Sequence, residues 1–468
     1  MAAAAPHGGP RLEVARLSAV ADAREVAATA SAAAAAAAAP YHAEVARRAR
    51  GASDAASRLA ASISDPSLGV SPPPPECIRR VHCSQLSLAR FRREFVCTAT
   101  PVVITGLGPH LTEDGVAGHE LGWLKRHGAT KKVAVTRDNA HVNAELACKD
   151  TDVLNLGDHL DRVLPLDQPN LSPADFGTRD GDRTYLYDCS IPLKLPSLLG
   201  AIRVPRYFAH DFLQRTMHTH AFTASWPSLF VAAPHTCSSL HIDQWRGNFW
   251  MAMVKGTKRW SLFHADDAPY LSPDYSRGTL DPAFPPMQVM DDAHAQSSEM
   301  AAAEAEGNNS ASEMAVESES RSEAGGTSRQ GAATAAVPSP LYRPCNEYPF
   351  LPFARRHDVD LGPGEVLFVP GGWPHAVHNL DVTVSFAGNF LDESNLDRAL
   401  DDLKLLGAKY GSQMVDSFTA IDEVWFDPED EVMVEETLEP EQLVVKYEDY
   451  YGGKAGTWGA GDWDGLEE

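Results

Sequence analysis

Apolar and polar positions along this chain fall into short alternating runs from about Cys77 onward, and before that point they form no such pattern. Leu86 to Phe91 opens a brief helix with Ser84 or Ser87 as its cap, and Pro101-Val102-Val103-Ile104 is a β-branched strand stopped by Gly106. Lys131 to Thr136 and Thr184 to Tyr187 read as strands, with a helix at Asp158 to Leu164 between them. Three further strands follow at Ser228 to Ala232, Asn248 to Val254 and Lys258 to Phe263. Lys255-Gly256 between the last two predicts a hairpin turn. Strand patterns return at Glu365 to Val369 and Val382 to Ala387, and a helical pattern runs from Asn395 to about Leu406. Short strands with tight turns and few long helices predict a mainly β fold with flanking helices, an antiparallel barrel or jelly roll.

Three segments interrupt the pattern. Residues 1–76 form an alanine- and proline-rich leader, read as partly disordered; two stretches in it, Leu12 to Ala38 and Tyr41 to Ser64, have helical composition, and Pro72 to Pro75 ends the segment. Residues 291–338 are rich in Ser, Ala, Glu and Gly with almost no aromatics, so they cannot bury enough apolar area to offset ordering and are expected to be disordered. Residues 421–468 form an acidic tail. The globular part is thereby split into 77–290 and 339–420.

Charge follows the same division. The formal net charge of the 468 residues is −24. Asp291 to Gln330 holds nine acidic and two basic residues, and Ile421 to Glu468 holds sixteen and two, so the rest of the chain is close to neutral. There is no broad basic face for nucleic acid. The acidic tail reads as a solvated, solubilising segment or as an attraction for a basic protein partner. Seven scattered cysteines without a CxxC pair fit reduced thiols in an intracellular protein, nuclear or cytoplasmic. No apolar run reaches the roughly 18–20 residues of a membrane-spanning helix. The leader is Ala-rich with Arg, as organelle-targeting segments are, but carries Glu13, Asp22 and Glu25, so targeting stays open.

Chemistry concentrates at Leu240-His241-Ile242-Asp243. In extended backbone, residues i and i+2 project to the same side, so His241 and Asp243 can face one space together. Two imidazoles and one carboxylate form the facial set of non-haem iron oxygenases, and the third ligand has a candidate far downstream in Val369-Pro370-Gly371-Gly372-Trp373-Pro374-His375. His378 competes with His375 but faces the opposite side of an extended segment. Lys258, in Gly256-Thr257-Lys258-Arg259-Trp260, is an inward cation if the strand alternates as expected, and an inward lysine requires an anion. Arg259 takes that place if the alternation is reversed.

These stretches carry a resemblance. Leu240 to Asp243, Val254 to Phe263, Gly364 to His375 and Asn379 to Phe390, with the opening Ser87 to Gly106, resemble the JmjC-domain oxygenases of the cupin superfamily, and among them the small JmjC-only protein hydroxylases. The resemblance implies a double-stranded β-helix, and a dioxygenase that uses Fe(II), 2-oxoglutarate and dioxygen to hydroxylate a protein side chain. N-methyl demethylation of Lys or Arg, or a cupin scaffold without turnover, are the alternatives. It implies His241, Asp243 and His375 as iron ligands and Lys258 at the far carboxylate of 2-oxoglutarate. Tyr185, Ser238 and Asn389 match family positions around the co-substrate and metal. Met251 and Ala387 depart from the family, standing where some relatives have a polar residue and a hydroxyl. The substrate and the oligomeric state are not legible.

Overall fold

Asn248–Lys255 is apolar at nearly every position, and its residues 248–254 are all buried. Only a strand covered on both faces accommodates that composition, and the chain supplies the two covers as a second sheet and a layer of helices. The computed structural model describes residues 38–74, 76–115, 121–137, 139–140, 151–167, 184–209, 211–215, 226–285, 348–410 and 434–447. The first predicted leader helix, the acidic insert and most of the acidic tail lie outside the described residues.

In chain order the strands are β1 (Glu76–Cys77), β2 (Arg79–His82), β3 (Val102–Thr105), β4 (Lys132–Arg137), β5 (Asn139–Ala140), β6 (Thr151–Asn155), β7 (Thr184–Ser190) and β8 (Val204–Pro205). Then come β9 (Ser228–Ala232), β10 (Cys237–His241), β11 (Asn248–Lys255), β12 (Lys258–Phe263), β13 (Arg356–Leu361), β14 (Val366–Val369), β15 (His375–Asn379), β16 (Thr383–Phe390) and β17 (Val444–Val445). One sheet has nine strands in the order β2-β3-β14-β11-β16-β9-β7-β4-β6, and the other has six in the order β1-β13-β12-β15-β10-β5. Their inner faces meet in a core that takes Tyr185, Phe230 and Met251 from the larger sheet and Trp260, Val359 and Val377 from the smaller. This is the jelly roll expected from the sequence.

The outer face of the nine-stranded sheet packs Trp250, Phe368, Val384 and Phe386 against Phe91, Leu160 and Phe208 from the helical layer. Helix Leu88–Phe91 begins at Ser87, whose side chain accepts from the Arg90 N–H, satisfying one of the orphan donors of a first turn.

The predicted hairpin between β11 and β12 does not form. β11 pairs with β14 and β16, while β12 pairs with β13 and β15, so the two strands lie in different sheets. The Gly256 turn carries the chain across the sandwich. Its φ is +72°, and a Cβ there would meet the Val382 carbonyl oxygen at 2.1 Å. A strand with two apolar faces finds better cover between partners of its own sheet than in a two-stranded ribbon, and sequence spacing cannot register that.

The second helical stretch of the leader is a helix over residues 38–64. Tyr41 and Val45 on it pack with Leu280 and the end of helix Leu396–Tyr410. Arg48 ties that contact down: it pairs with Asp402 and Glu44 and donates to the Leu280 carbonyl at 3.1 Å. The described part of the acidic tail also differs from a solvated chain, because Leu443 and Tyr447 are buried and β17 pairs with β8. No helix among the described residues is long and apolar enough to cross a membrane.

Gly256→Ala is expected to destabilise the fold by about 2–4 kcal/mol, since it combines positive-φ strain with a backbone collision. The midpoint of urea denaturation measures it, and an unchanged midpoint would contradict the crossing turn described here.

Candidate metal centre

β10 and β15 are antiparallel neighbours, and their register sets His241 opposite His375. The two imidazole centroids are 4.3 Å apart. Asp243 lies just past the end of β10, with its Oδ1 3.7 Å from His241 Nε2 and 4.0 Å from His375 Nε2. One donor atom from each residue falls within 4.8 Å of the others. Ligands held about 2.1 Å from a common divalent ion stand about 3–4 Å apart, so the triad needs only slight contraction to close on one.

The proton positions favour the same reading. His241 Nδ1 is 2.6 Å from the Ser239 carbonyl oxygen, and His375 Nδ1 is 3.0 Å from that of Trp373. A carbonyl only accepts, so each Nδ1 carries the hydrogen and each Nε2 presents its lone pair toward Asp243, the arrangement that orients metal-bound histidines. Burial, and then the neighbouring His241, push His375 down to about 4, keeping it in the neutral, ligating form. Burial by itself would raise the Asp243 carboxyl; its interactions with His375, His241 and Asn389 outweigh it and hold the group below its ordinary range. Two nitrogens and one carboxylate oxygen on one side of a cavity fit iron as a facial triad.

Backbone shape holds the two halves together. Trp245 and Arg246, just after Asp243, both have positive φ. Gly371, from the Pro-Gly-Gly turn, lies so near this bend that a Cβ on it would be 2.0 Å from the Arg246 carbonyl oxygen. The Gly371 N–H donates to Asn248 Oδ1 at 2.8 Å. His375 is walled by Trp260 and Phe249, at ring distances of 5.5 and 6.2 Å. His378 sits on the exposed face of β15, away from the triad.

The triad opens on a cavity of about 270 Å³, whose lining includes Tyr185, Ser238, Met251 and Asn389. Deeper in the barrel lies Lys258, fully buried. Its Nζ donates to Asn379 Oδ1 at 2.7 Å and to Tyr185 Oη at 3.1 Å, and it stands 5.0 Å from the Tyr185 ring centre. No carboxylate among the described residues pairs with it, and burial pushes the amine down to about 7 against the pull of Asp381. Arg259 is on the other face, in a two-pronged pair with Asp360 at 2.7 and 2.8 Å. Ser238 is buried beside Tyr185 and hydrogen-bonds its hydroxyl; burial raises that hydroxyl, with Ser238 and Asn379 opposing. Met251 and Ala387 face each other in register, giving the cavity an apolar rung.

The triad, Tyr185, Ser238 and Asn389 thus border one cavity, and Lys258 is joined to its wall through Tyr185. Two others were not foreseen. Asn379 holds the Lys258 amine, and its only signal was its place at the start of the Asn379 to Phe390 stretch. Asp188 lines the cavity from a register shift in β7, at φ +48°, a bend that no sequence pattern announced.

With this geometry in view, comparison with known proteins is direct. A Cupin-like domain matches residues 88–430. The chain belongs to the cupin-like domain family. It is similar to the bifunctional arginine demethylase and lysyl-hydroxylase psr-1 of Caenorhabditis briggsae, at 25% identity over 328 residues, covering 69% of this chain and 64% of that protein. The psr-1 protein of Caenorhabditis elegans matches at 24% over the same shares. The arginine-specific demethylase JMJ22 of Arabidopsis thaliana matches at 25% over 235 residues, 50% of this chain and 36% of that one. The chain thus spans less than two thirds of the length of these relatives. Helix 38–64 precedes the matched domain of this cupin-like protein.

Two outcomes follow for the cupin-like centre. Gly371→Ala would push the Arg246 bend away and misplace Asp243, so Mn(II) affinity should fall at least tenfold, as read by titration calorimetry. Lys258→Met should make the protein without co-substrate more stable near neutral pH. A lysine lowered from 10.5 to about 7 in the folded state costs at most about 5 kcal/mol. The Tyr185 hydroxyl left behind returns about 1–3 kcal/mol of that. The penalty is complete below about pH 7 and fades as pH rises toward the unfolded value. Denaturation of both proteins across that range should show the variant's advantage shrinking with pH, and a constant gap would contradict a desolvated amine.

Proposed function

We propose that this cupin-like protein is an Fe(II)- and 2-oxoglutarate-dependent dioxygenase that hydroxylates a side chain of a protein substrate. The observation that carries the reading is the presence, in one interior, of a His-Asp-His triad and a buried lysine that has no acidic partner among the described residues. His241, Asp243 and His375 would hold the iron on one face and leave the opposite face for co-substrate and dioxygen. Lys258 Nζ has two of its three hydrogens engaged. The third is available to a carboxylate, and the low-dielectric surroundings strengthen that contact. A scaffold or a metal enzyme without a dicarboxylate co-substrate gains nothing from an amine placed there.

Bound in this pocket, iron and 2-oxoglutarate supply the oxidation: dioxygen is consumed, the keto acid leaves as succinate and CO2, and a substrate C–H becomes C–OH. The chain's part is to orient and to exclude water. Phe249, Trp260 and Met251 keep the interior apolar, and Asn389 steadies the Asp243 carboxylate through a hydrogen bond.

The relatives named for arginine demethylation favour a second reading, in which the hydroxylated carbon is an N-methyl group and formaldehyde is lost. The acidic insert and tail would draw a basic protein to either reaction.

Purified protein with Fe(II), ascorbate and 2-oxoglutarate should form succinate, and His241→Ala and Lys258→Ala should each lower that rate by at least about a hundredfold. Succinate formation without dependence on these residues, or no binding of 2-oxoglutarate beside Mn(II), would sink the proposal in favour of a scaffold. Formaldehyde released from a methylated basic peptide would select demethylation.

A further inference from the structure

β16 presents Thr383, Ser385, Ala387 and Asn389 to the barrel interior, while Val384, Phe386 and Phe390 between them pack in the outer core. Same-face positions on a strand are spaced by about 6.6–6.8 Å, so these four form a graded row. Asn389 is at the metal end, where it hydrogen-bonds Asp243. Thr383 is at the lysine end: its hydroxyl donates at 2.8 Å to Asn379 Oδ1, the same oxygen that receives the Lys258 amine. Between them stand Ala387, which has nothing to offer, and Ser385.

Ser385 is fully buried and its hydroxyl has no hydrogen-bond partner among the described residues. Its neighbours in register are Met253 and Phe230, neither of which has a side-chain acceptor for a hydroxyl. Phe230, the register partner of Ser385, has its ring 5.9 Å from Lys258 Nζ, so the same side chain flanks both the orphan hydroxyl's strand and the buried amine. A buried hydroxyl without a partner carries a desolvation cost that an apolar residue of similar size would avoid. Two polar groups in one dry interior therefore call for the same kind of ligand, the amine by its charge and the serine by its unused hydrogen.

We propose that Ser385 supplies a hydroxyl to the far carboxylate of 2-oxoglutarate together with Lys258, in place of the hydroxyl that Ala387 lacks. The inference rests on the functional reading above and adds to it a residue two positions along the same strand face. The anchoring group is displaced along β16 toward the lysine end while the apolar Met251–Ala387 rung is left free of donors. Tyr185 Oη accepts from the Lys258 amine and lines the cavity.

The test compares two ligands on Mn(II)-loaded protein by calorimetry. One is 2-oxoglutarate; the other is oxalate, which can chelate the metal but has no far carboxylate. Ser385→Ala is expected to weaken 2-oxoglutarate about tenfold or more, the size of one hydrogen bond to a charged group, with oxalate unaffected. Without ligand, the variant should melt no lower than the wild type, because the hydroxyl it removes is unpaired. Ser385→Cys, which keeps the volume, should show the same loss if the alanine variant folds poorly, and Ala387→Ser added to Ser385→Ala should recover part of the affinity. Equal 2-oxoglutarate affinity in wild type and variant overturns the role of Ser385 alone, as does an equal loss for oxalate. Failure of the wild type to bind 2-oxoglutarate overturns the functional reading, and this inference with it.

Discussion

The antiparallel register between β10 and β15 is the constraint on which the site depends. It sets His241 against His375 across a sheet rung, and successive residues on a strand point to opposite faces. A slip of one residue would turn His375 into the apolar cluster on the other face of the sheet and bring Ala376 in. What prevents the slip is the burial around it. Leu240 and Ala376 pack in a cluster with Phe263 and Leu271 on the other face of the same sheet, so a shifted strand would expose apolar area on one side while burying polar groups on the other. The Pro-Gly-Gly turn and the bend at Trp245 and Arg246 then hold Asp243 against this pair, helped by the Asn248 and Asn389 side chains.

The interior has two polar poles separated by apolar side chains. At one end, two imidazoles and a carboxylate converge and are suited to a cation. At the other, a buried amine has no acidic partner among the described residues and is suited to an anion. Neither pole is comfortable on its own: buried charge of either sign is costly without compensation. A metal ion at the first pole, together with a dicarboxylate that binds it and reaches the second, would relieve both costs at once. The apolar rungs between the poles keep water from screening either contact, so the same feature that makes the ligand-free interior costly gives the ligand its hold.

Parts of the chain outside the matched domain are tied to this core. Helix 38–64 reaches the domain through Tyr41, Val45 and Arg48, and Arg48 meets Asp402 on the helix whose Ala399 and Leu403 pack with Trp245 beside Asp243. The described tail residues cover the opposite region through Leu443 and Tyr447. These contacts are made by a few apolar anchors in segments whose composition is dominated by alanine or by acid, and average composition conceals such anchors.

Many of the longer strands and the spacing of His241, Asp243, His375 and Lys258 were legible from the sequence because each rests on local rules, whereas strands such as β13 were not. Alternation at period two puts Lys258 and Arg259 on opposite faces, and likewise His375 and His378, but which of Lys258 and Arg259 turns inward was decided by the fold. Pairing of strands was not legible. β11 and β12 look like a hairpin from their spacing, yet they belong to opposite sheets, because that choice is made by how much apolar area each strand can bury against partners more than a hundred residues away. The roles of Asn379 and Ser385 belong to the same category. Nothing in an asparagine or a serine marks which way it points; that depends on which strands lie beside it. The sequence by itself determined which side chains share a strand face, since that follows from backbone geometry. Only the tertiary structure decided which faces meet, since that follows from packing summed over the whole sandwich.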